Sequence, residues 1–376
     1  MSSTVHRKRL PVRLGALTVG AGPAVVIGGP GADARWISLL GRPAGLSAEE
    51  AVAGARARWP GPVLVEPSCA ADLPVIAGCA DGVVTGAAWM RDASLLRAVA
   101  RLGLPVLLRR APSAALREWL AAAADCAAEG DDRVLLCESG DGTARGGLVL
   151  DLALMRAARE LSGRPVLADL GAHLGGDAGA GPGPDPGTGP EGGPGAASGA
   201  GEGTPATTAH GDGTGRESGT GRESGSGHGD GTDGTGHEDG PALAAAAVAA
   251  GADGLLLPPG SAERDALAVR EAARLVGAVT RREAPSSIPA AREAIDRVDA
   301  ALAVLLERRA ELAVTIQRLK PVGGFAGRDA DRERRLVAEM ARRAPVLGEA
   351  RLAAIMNAVI EAGLHLAEER RSSPRE

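Results

Sequence analysis

Short apolar runs recur along the chain at a spacing that leaves room for a helix between neighbours, and this rhythm constrains the fold more than any other feature. Between residues 25 and 170 the runs are Val25-Val26-Ile27, Ile37-Ser38-Leu39-Leu40, Val63-Leu64-Val65, Gly82-Val83-Val84, Val106-Leu107-Leu108, Val134-Leu135-Leu136 and Val166-Leu167-Ala168. An eighth, Leu255-Leu256-Leu257, comes much later. Each is followed by an Ala-rich stretch long enough for a helix. Continuous runs of this kind mark strands of a parallel sheet buried on both faces. Eight of them predict a TIM-type (β/α)8 barrel, with any chemistry just after the strand ends. The segment Val12 to Val19 is expected to be a hairpin closing the barrel's N-terminal end. With no Tyr, one Phe and four Trp, the core must be built from Ala, Val and Leu.

Residues 174–240 break the rhythm. They are mostly Gly, Pro, Ser, Thr, Asp and Glu, and GTGRES occurs at 213–218 and again at 219–224. Such a segment buries too little apolar surface to offset its ordering entropy, so it reads as a disordered insertion within the barrel. The competing reading is a metal contact through His228, His237 and nearby Asp residues. Barrel-like patterns resume at Pro241. A net charge of −5 and a pI of about 5.8 give no basis for nucleic-acid binding. The four cysteines form no CxxC pair, as expected of a reduced, cytoplasmic protein. Residues 5–9 are basic, but no apolar segment of a signal peptide follows, and no apolar run approaches the roughly 18 residues of a membrane span. Neither secretion nor a membrane is expected.

After the linker EAPSSIP the periodicity becomes helical. A long helix is expected from about Ala290 to Lys320, with Ile295, Val298, Leu302, Leu305, Leu306, Leu312, Ile316 and Leu319 as its apolar stripe. Two further helices fit 329–343 and 348–370, separated by Pro345 and Gly348. One very long helix and two shorter ones cannot close a core alone, so a homodimer through the long helix is expected. Arg309 and Lys320 are about three turns apart and project from nearly the same side, roughly 16 Å apart along the axis. Arg292 is turned away from that side, which suits the pocket of a dimer mate. Asp329, Arg332 and Glu333 fall at the start of the second helix. In a chain so rich in Arg, each of these alone is ordinarily a solvated or ion-paired surface residue.

Together they are more specific. The run AREAIDRVDAALAVLLERRAELAVTIQRLK followed by RDADRER resembles the all-helical chorismate mutase family, without a gap from Arg292 through Arg334. In that family a domain-swapped dimer builds each site from both chains. The resemblance implies that Arg309 and the partner subunit's Arg292 grip the two substrate carboxylates, and that Arg332 completes carboxylate binding. It gives Lys320 a carboxylate and the ether oxygen, and gives Asp329 and Glu333 the hydroxyl. The implied reaction, chorismate to prephenate, is a pericyclic isomerisation needing no nucleophile, metal or cofactor. On the third helix the family's Ser and Gln positions are Gly363 and Ala367. A one-residue shift would instead bring Glu368 to the Gln position; the bland alternative is a surface Glu.

The barrel, over residues 12–173 and 241–280, resembles the single-domain 3-deoxy-arabino-heptulosonate-7-phosphate (DAHP) synthases. The fragments that carry this are VVIGGPGA, PVLLRRAPSAALREWLAAA, VLLCESG, LDLALMRAARELSGRPVLADLGAH and AAVAAGADGLLL. Family members use a divalent metal held by Cys, His, Glu and Asp, with cations at the rim for phosphates. Here Gly31 stands at the Cys position and Pro258 at the Glu position, no Asp stands in the expected context, and His173 lies in DLGAH rather than DPSH. Ala88 and Ser139 replace two Arg, Arg109 replaces a Lys, and Arg110 persists. These changes imply a degenerate barrel. The expected organisation is barrel 1–173, insertion 174–240, barrel 241–282 and mutase domain 286–372. The expected function is a chorismate mutase carrying an inactive barrel that scaffolds or docks other shikimate-pathway enzymes. Two alternatives stay open: a bifunctional DAHP synthase and chorismate mutase, or a non-catalytic protein that binds chorismate or prephenate as a signal.

Overall fold

The computed structural model describes residues 9–130, 132–143, 147–174, 235–320 and 324–372. The proposed insertion lies almost entirely outside them, as do the GTGRES repeats and His228. Eight parallel strands form one sheet: β1 (Val25–Ile27), β2 (Arg35–Ser38), β3 (Val63–Glu66), β4 (Gly82–Thr85), β5 (Val106–Arg109), β6 (Val134–Glu138), β7 (Val166–Asp169) and β8 (Gly254–Leu256). The order runs from β2 through β7 in sequence, then β8 and β1. A single bridge, Ile27 to Ala34, closes the ring into a barrel. Side chains alternate as barrel closure demands. Leu64, Val84, Leu107, Leu135, Leu167 and Leu256 fill the interior. Val63, Val65, Val83, Val106, Leu108, Val134, Leu136, Val166 and Leu255 face the helices. The hairpin Val12–Leu14/Leu17–Val19 caps the N-terminal end, and its Val12, Leu14 and Val19 join the interior cluster.

Five helices follow strands β2 to β6: α1 (Ala48–Arg58), α2 (Leu73–Cys79), α3 (Ala93–Ala100), α4 (Leu116–Glu129) and α5 (Leu152–Ser162). Helix α6 (Thr235–Ala249) precedes β8, and α7 (Glu263–Thr280) follows it. Helix α6 starts at Thr235, inside the stretch read from sequence as insertion. Its buried Ala244, Ala247 and Val248 anchor it, and a helix once nucleated extends at one hydrogen bond per residue.

The first connection departs from the expected pattern, because residues 28–34 join β1 to β2 without a helix. They turn back tightly, Gly28 N donating to Ala34 O (2.8 Å) and Asp33 N to Val26 O (2.8 Å). Gly28 has φ of +92°, and a Cβ there would lie 2.3 Å from Leu257 O, so only glycine fits. The second strand also begins before its apolar run. The inward position is taken by Trp36, whose Nε1 donates to Leu257 O across the closure (2.5 Å).

One fully buried carboxylate ties the N-terminal end of the barrel together. Asp253, just before β8, pairs with Arg9, with Arg281 (3.0 Å) and with Arg159 on α5 (3.2 Å), and accepts from Val166 N (3.2 Å). At the opposite end Asp72 is 3% exposed and accepts from Arg42 (2.8 Å), Ser68 Oγ (2.6 Å) and Ser68 N (2.7 Å). Burial alone would raise its pKa, but these donors outweigh that and hold it at about 2, against an ordinary 3.8. The folded state therefore gains from Asp72 above about pH 4 and loses that gain as pH falls towards 2. The expected loss is about 1–2 kcal/mol, and Asp72→Asn is expected to flatten the acid limb of urea-unfolding free energy between pH 4 and pH 2.

The described residues beyond α7 form three long helices, α8 (Ile288–Leu319), α9 (Ala330–Arg343) and α10 (Gly348–Ser372), within a residue or two of the sequence expectation. Ser287 caps α8 and Asp329 caps α9, each accepting a backbone N–H of its first turn. Helix α8 packs against α7, with Arg297 paired to Glu283 and Arg274 donating to Asp296 O (3.4 Å). Val337, Leu352 and Met356 form a small core between α9 and α10. Of the 32 residues of α8 only Ala301 is buried. Contrary to the sequence expectation, α10 is long and apolar enough by length and composition to cross a membrane. Leu352, Met356 and Leu364 of this helix are buried, whereas Ile355 is half exposed.

Candidate active site

Three helices converge on a cleft of about 290 Å³. Helix α8 contributes Arg309, Leu312, Ala313, Ile316, Gln317 and Lys320, a stripe at spacings of three and four. From α9 and its approach come Arg328, Asp329, Arg332, Glu333 and Leu336, and from α10 come Ile360 and Leu364. Five of the six residues singled out in the sequence thus share one cleft: Arg309, Lys320, Asp329, Arg332 and Glu333. The sixth, Arg292, is exposed near the start of α8, about 25 Å along the axis from Arg309.

The cleft is strongly cationic. Arg309 is half-buried and donates to Val359 O (3.3 Å). Burial and the neighbouring Arg332 both lower its pKa, so two guanidinium groups face the cleft without neutralising each other. Among the described residues neither Arg309 nor Arg332 forms an ion pair, which leaves both free for an anion. Lys320 caps the end of α8 and donates to Gly327 O (2.7 Å), fixing the ammonium above the cleft with donors to spare. The backbone N–H of Arg332 and nearby cations hold the Asp329 carboxyl below its usual range. Arg328 does the same for Glu333 through two hydrogen bonds (3.0 and 2.7 Å). Such a set of cations suits a small anionic ligand.

The third helix lines the cleft with Ile360 and Leu364 and brings no polar side chain to it. Gly363 is buried against α8: a Cβ there would meet Ala313 Cβ at 3.3 Å and Arg309 Nη1 at 3.9 Å. Ala367 is 2% exposed and does not line the cleft. Glu368 is not among the cleft residues either; its Oε1 lies by Gly324. Sequence reasoning did not single out Arg328, which stands immediately before the helix cap.

The rim of the barrel is charged but self-paired. Arg109 bridges Asp169 (2.7 Å) and Glu66 (3.5 Å) at the strand ends, with Ser139 Oγ at 3.4 Å. Burial raises the pKa of Glu66 despite this pairing. Arg110, read from sequence as a surviving phosphate contact, is instead 1% exposed and lies within the barrel wall. Its donors are all taken by Glu138, Asp141 and Ala114 O. The divalent metal of the synthase family does not fit. His173 offers one buried, unpartnered Nε2, but among the described residues no three His, Cys, Asp or Glu gather as a metal site.

Residues 291–368 match the sequence model of the family described as Chorismate mutase type II, and residues 57–179 that of the DAHP synthetase I family. No curated protein matches the chain. Among solved structures, a truncated DAHP synthase from Thermotoga maritima is 19% identical, with a TM-score of 0.48, covering 74% of this chain and 95% of its own. A second DAHP synthase structure from Thermotoga maritima is 18% identical, with a TM-score of 0.47, covering 79% of this chain and 74% of its own.

Proposed function

Because the chain joins a DAHP synthase-like barrel to a chorismate mutase domain, we propose that it isomerises chorismate to prephenate in the helical cleft. The observation that carries this reading is the convergence of Arg309, Lys320, Asp329, Arg332 and Glu333 on one cleft. Rearrangement breaks a carbon–oxygen bond and forms a carbon–carbon bond in one concerted step, with no proton transferred. The protein must hold a compact conformer and stabilise negative charge growing on the ether oxygen. Arg309 and Arg332 grip carboxylates, Lys320 serves a carboxylate and the ether oxygen, and Asp329 and Glu333 take the hydroxyl. Disappearance of chorismate with purified protein tests the assignment, and a rate no faster than the uncatalysed reaction sinks it.

The active unit is a homodimer, with Arg292 of the partner subunit completing the site. Its support is the apolar stripe of α8, where Ile295, Val298, Leu302 and Leu305 are all about half exposed or more. Exposed apolar residues repeated along one helix are characteristic of an interface. Leu305→Glu is expected to yield monomers by light scattering and to lower activity at least about 10-fold, the loss of one charge-assisted contact. A dimer of unchanged activity would contradict the proposed interface.

The barrel acts as a scaffold or docking module rather than a synthase, a reading supported by Arg109 being held by Glu66 and Asp169 instead of facing outward for a phosphate. Phosphoenolpyruvate is expected to persist with erythrose 4-phosphate and Mn, Co, Fe or Zn; its metal-dependent consumption would establish a bifunctional enzyme.

A further inference from the structure

We propose that Arg328 is a positioning residue that holds Glu333 as the acceptor of the substrate's ring hydroxyl. The inference rests on the mutase reading. Arg328 lines the cleft immediately before the cap of α9. Its Nε donates to Glu333 Oε1 (3.0 Å) and its Nη2 to Oε2 (2.7 Å), a fork-on-fork pair. The same Nη2 donates to Asn357 Oδ1 (2.8 Å), Nη1 lies 3.5 Å from Glu361 Oε1, and Asn357 Nδ2 donates to that oxygen (2.9 Å). One guanidinium therefore ties the approach to α9, the first turn of α9 and the middle of α10 together.

The chemistry explains why this matters. A glutamate on a first helical turn samples several rotamers, and a substrate hydroxyl must order it at an entropic cost. A bidentate arginine removes that freedom beforehand and still leaves each oxygen a lone pair for an incoming hydroxyl. The positions of α10 that line the cleft are Ile360 and Leu364, which carry no polar side chain. That helix instead supports the cleft through Val359 O on Arg309 and through Asn357 and Glu361 on Arg328. The pairing also keeps Glu333 ionised into acid.

The test compares chorismate with its analogue lacking the ring hydroxyl in wild type, Arg328→Ala and Arg328→Lys. Arg328→Ala is expected to lower kcat/KM for chorismate about 10–100-fold and to leave the deoxy analogue nearly unchanged. Arg328→Lys restores part of the loss, and serves alone if the alanine variant does not fold. The acid limb of kcat/KM moves to higher pH in both variants, because Glu333 regains a more ordinary pKa. Equal losses on both substrates, or an unmoved acid limb, overturn the proposal. If wild type turns over no chorismate, the mutase reading falls and calorimetry with an oxabicyclic dicarboxylate, with and without its hydroxyl, replaces kinetics. Hydroxyl-dependent affinity that Arg328→Ala abolishes supports the role of Arg328; hydroxyl-independent or absent binding overturns it.

Discussion

Arg309→Ala is expected to lower kcat/KM for chorismate by about 10³-fold, the loss that follows removal of one preorganised cationic donor worth roughly 4 kcal/mol in a dry site. The residue stands at the head of the α8 stripe, half-buried, donating to Val359 O and, among the described residues, without a carboxylate partner. Its charge is therefore available to the ligand and not to the fold. Burial and Arg332 both oppose that charge in the free protein. Removing it is expected to leave thermal stability unchanged or slightly raised while activity collapses, the trade-off common to sites that hold like charges together. Arg309→Lys should recover only part of the activity, since an ammonium cannot present the planar fork that matches a carboxylate. Steady-state kinetics beside a thermal melt check both halves. A kcat/KM within threefold of wild type would remove Arg309 from the site.

Asp253→Ala is expected to cost about 3–5 kcal/mol, because it leaves several guanidinium groups around a buried vacancy. Asp253 is fully buried and holds Arg9 from the N-terminal segment, Arg159 from α5 and Arg281 beyond α7. Its backbone also bridges β7 to β1, donating to Val166 O (2.6 Å) and accepting from Val25 N (3.1 Å). The effect belongs to the barrel transition, which is expected to fall by roughly 10 °C for a domain of this size, with Asp253→Asn close behind. Mutase activity at 25 °C is expected to change little, since the cleft lies on other helices. A barrel melting within 2 °C of wild type would show that the three arginines are satisfied without the carboxylate.

The barrel was legible because burial on both faces of a strand leaves a continuous apolar run, which sequence displays directly. The missing first helix was not, since the length of a connection becomes meaningful only once β1 and β2 are known to meet through the Ile27–Ala34 bridge. Trp36 was passed over for a related reason: its run looked apolar from Ile37, while closure against Leu257 O depends on a residue distant in sequence. Arg110 shows the reverse error. Its sequence context suggested a phosphate contact, yet Glu138 and Asp141 draw it into the barrel wall.

In the helical domain, the spacing of Arg309 and Lys320 follows from helix pitch alone. Asp329 as a cap, with Arg332 and Glu333 one turn on, follows from capping chemistry. Those are local rules, and sequence carries them. What only tertiary structure decided is which arginines are free. Among the described residues Arg309 and Arg332 form no ion pair, Arg328 is committed to Glu333, Asn357 and Glu361, and Arg109 to Asp169 and Glu66. An arginine's role depends on the carboxylates that folding brings within about 4 Å; Glu333 is local to Arg328, but Glu361, Glu66 and Asp169 come from elements dozens of residues away from the arginines they meet.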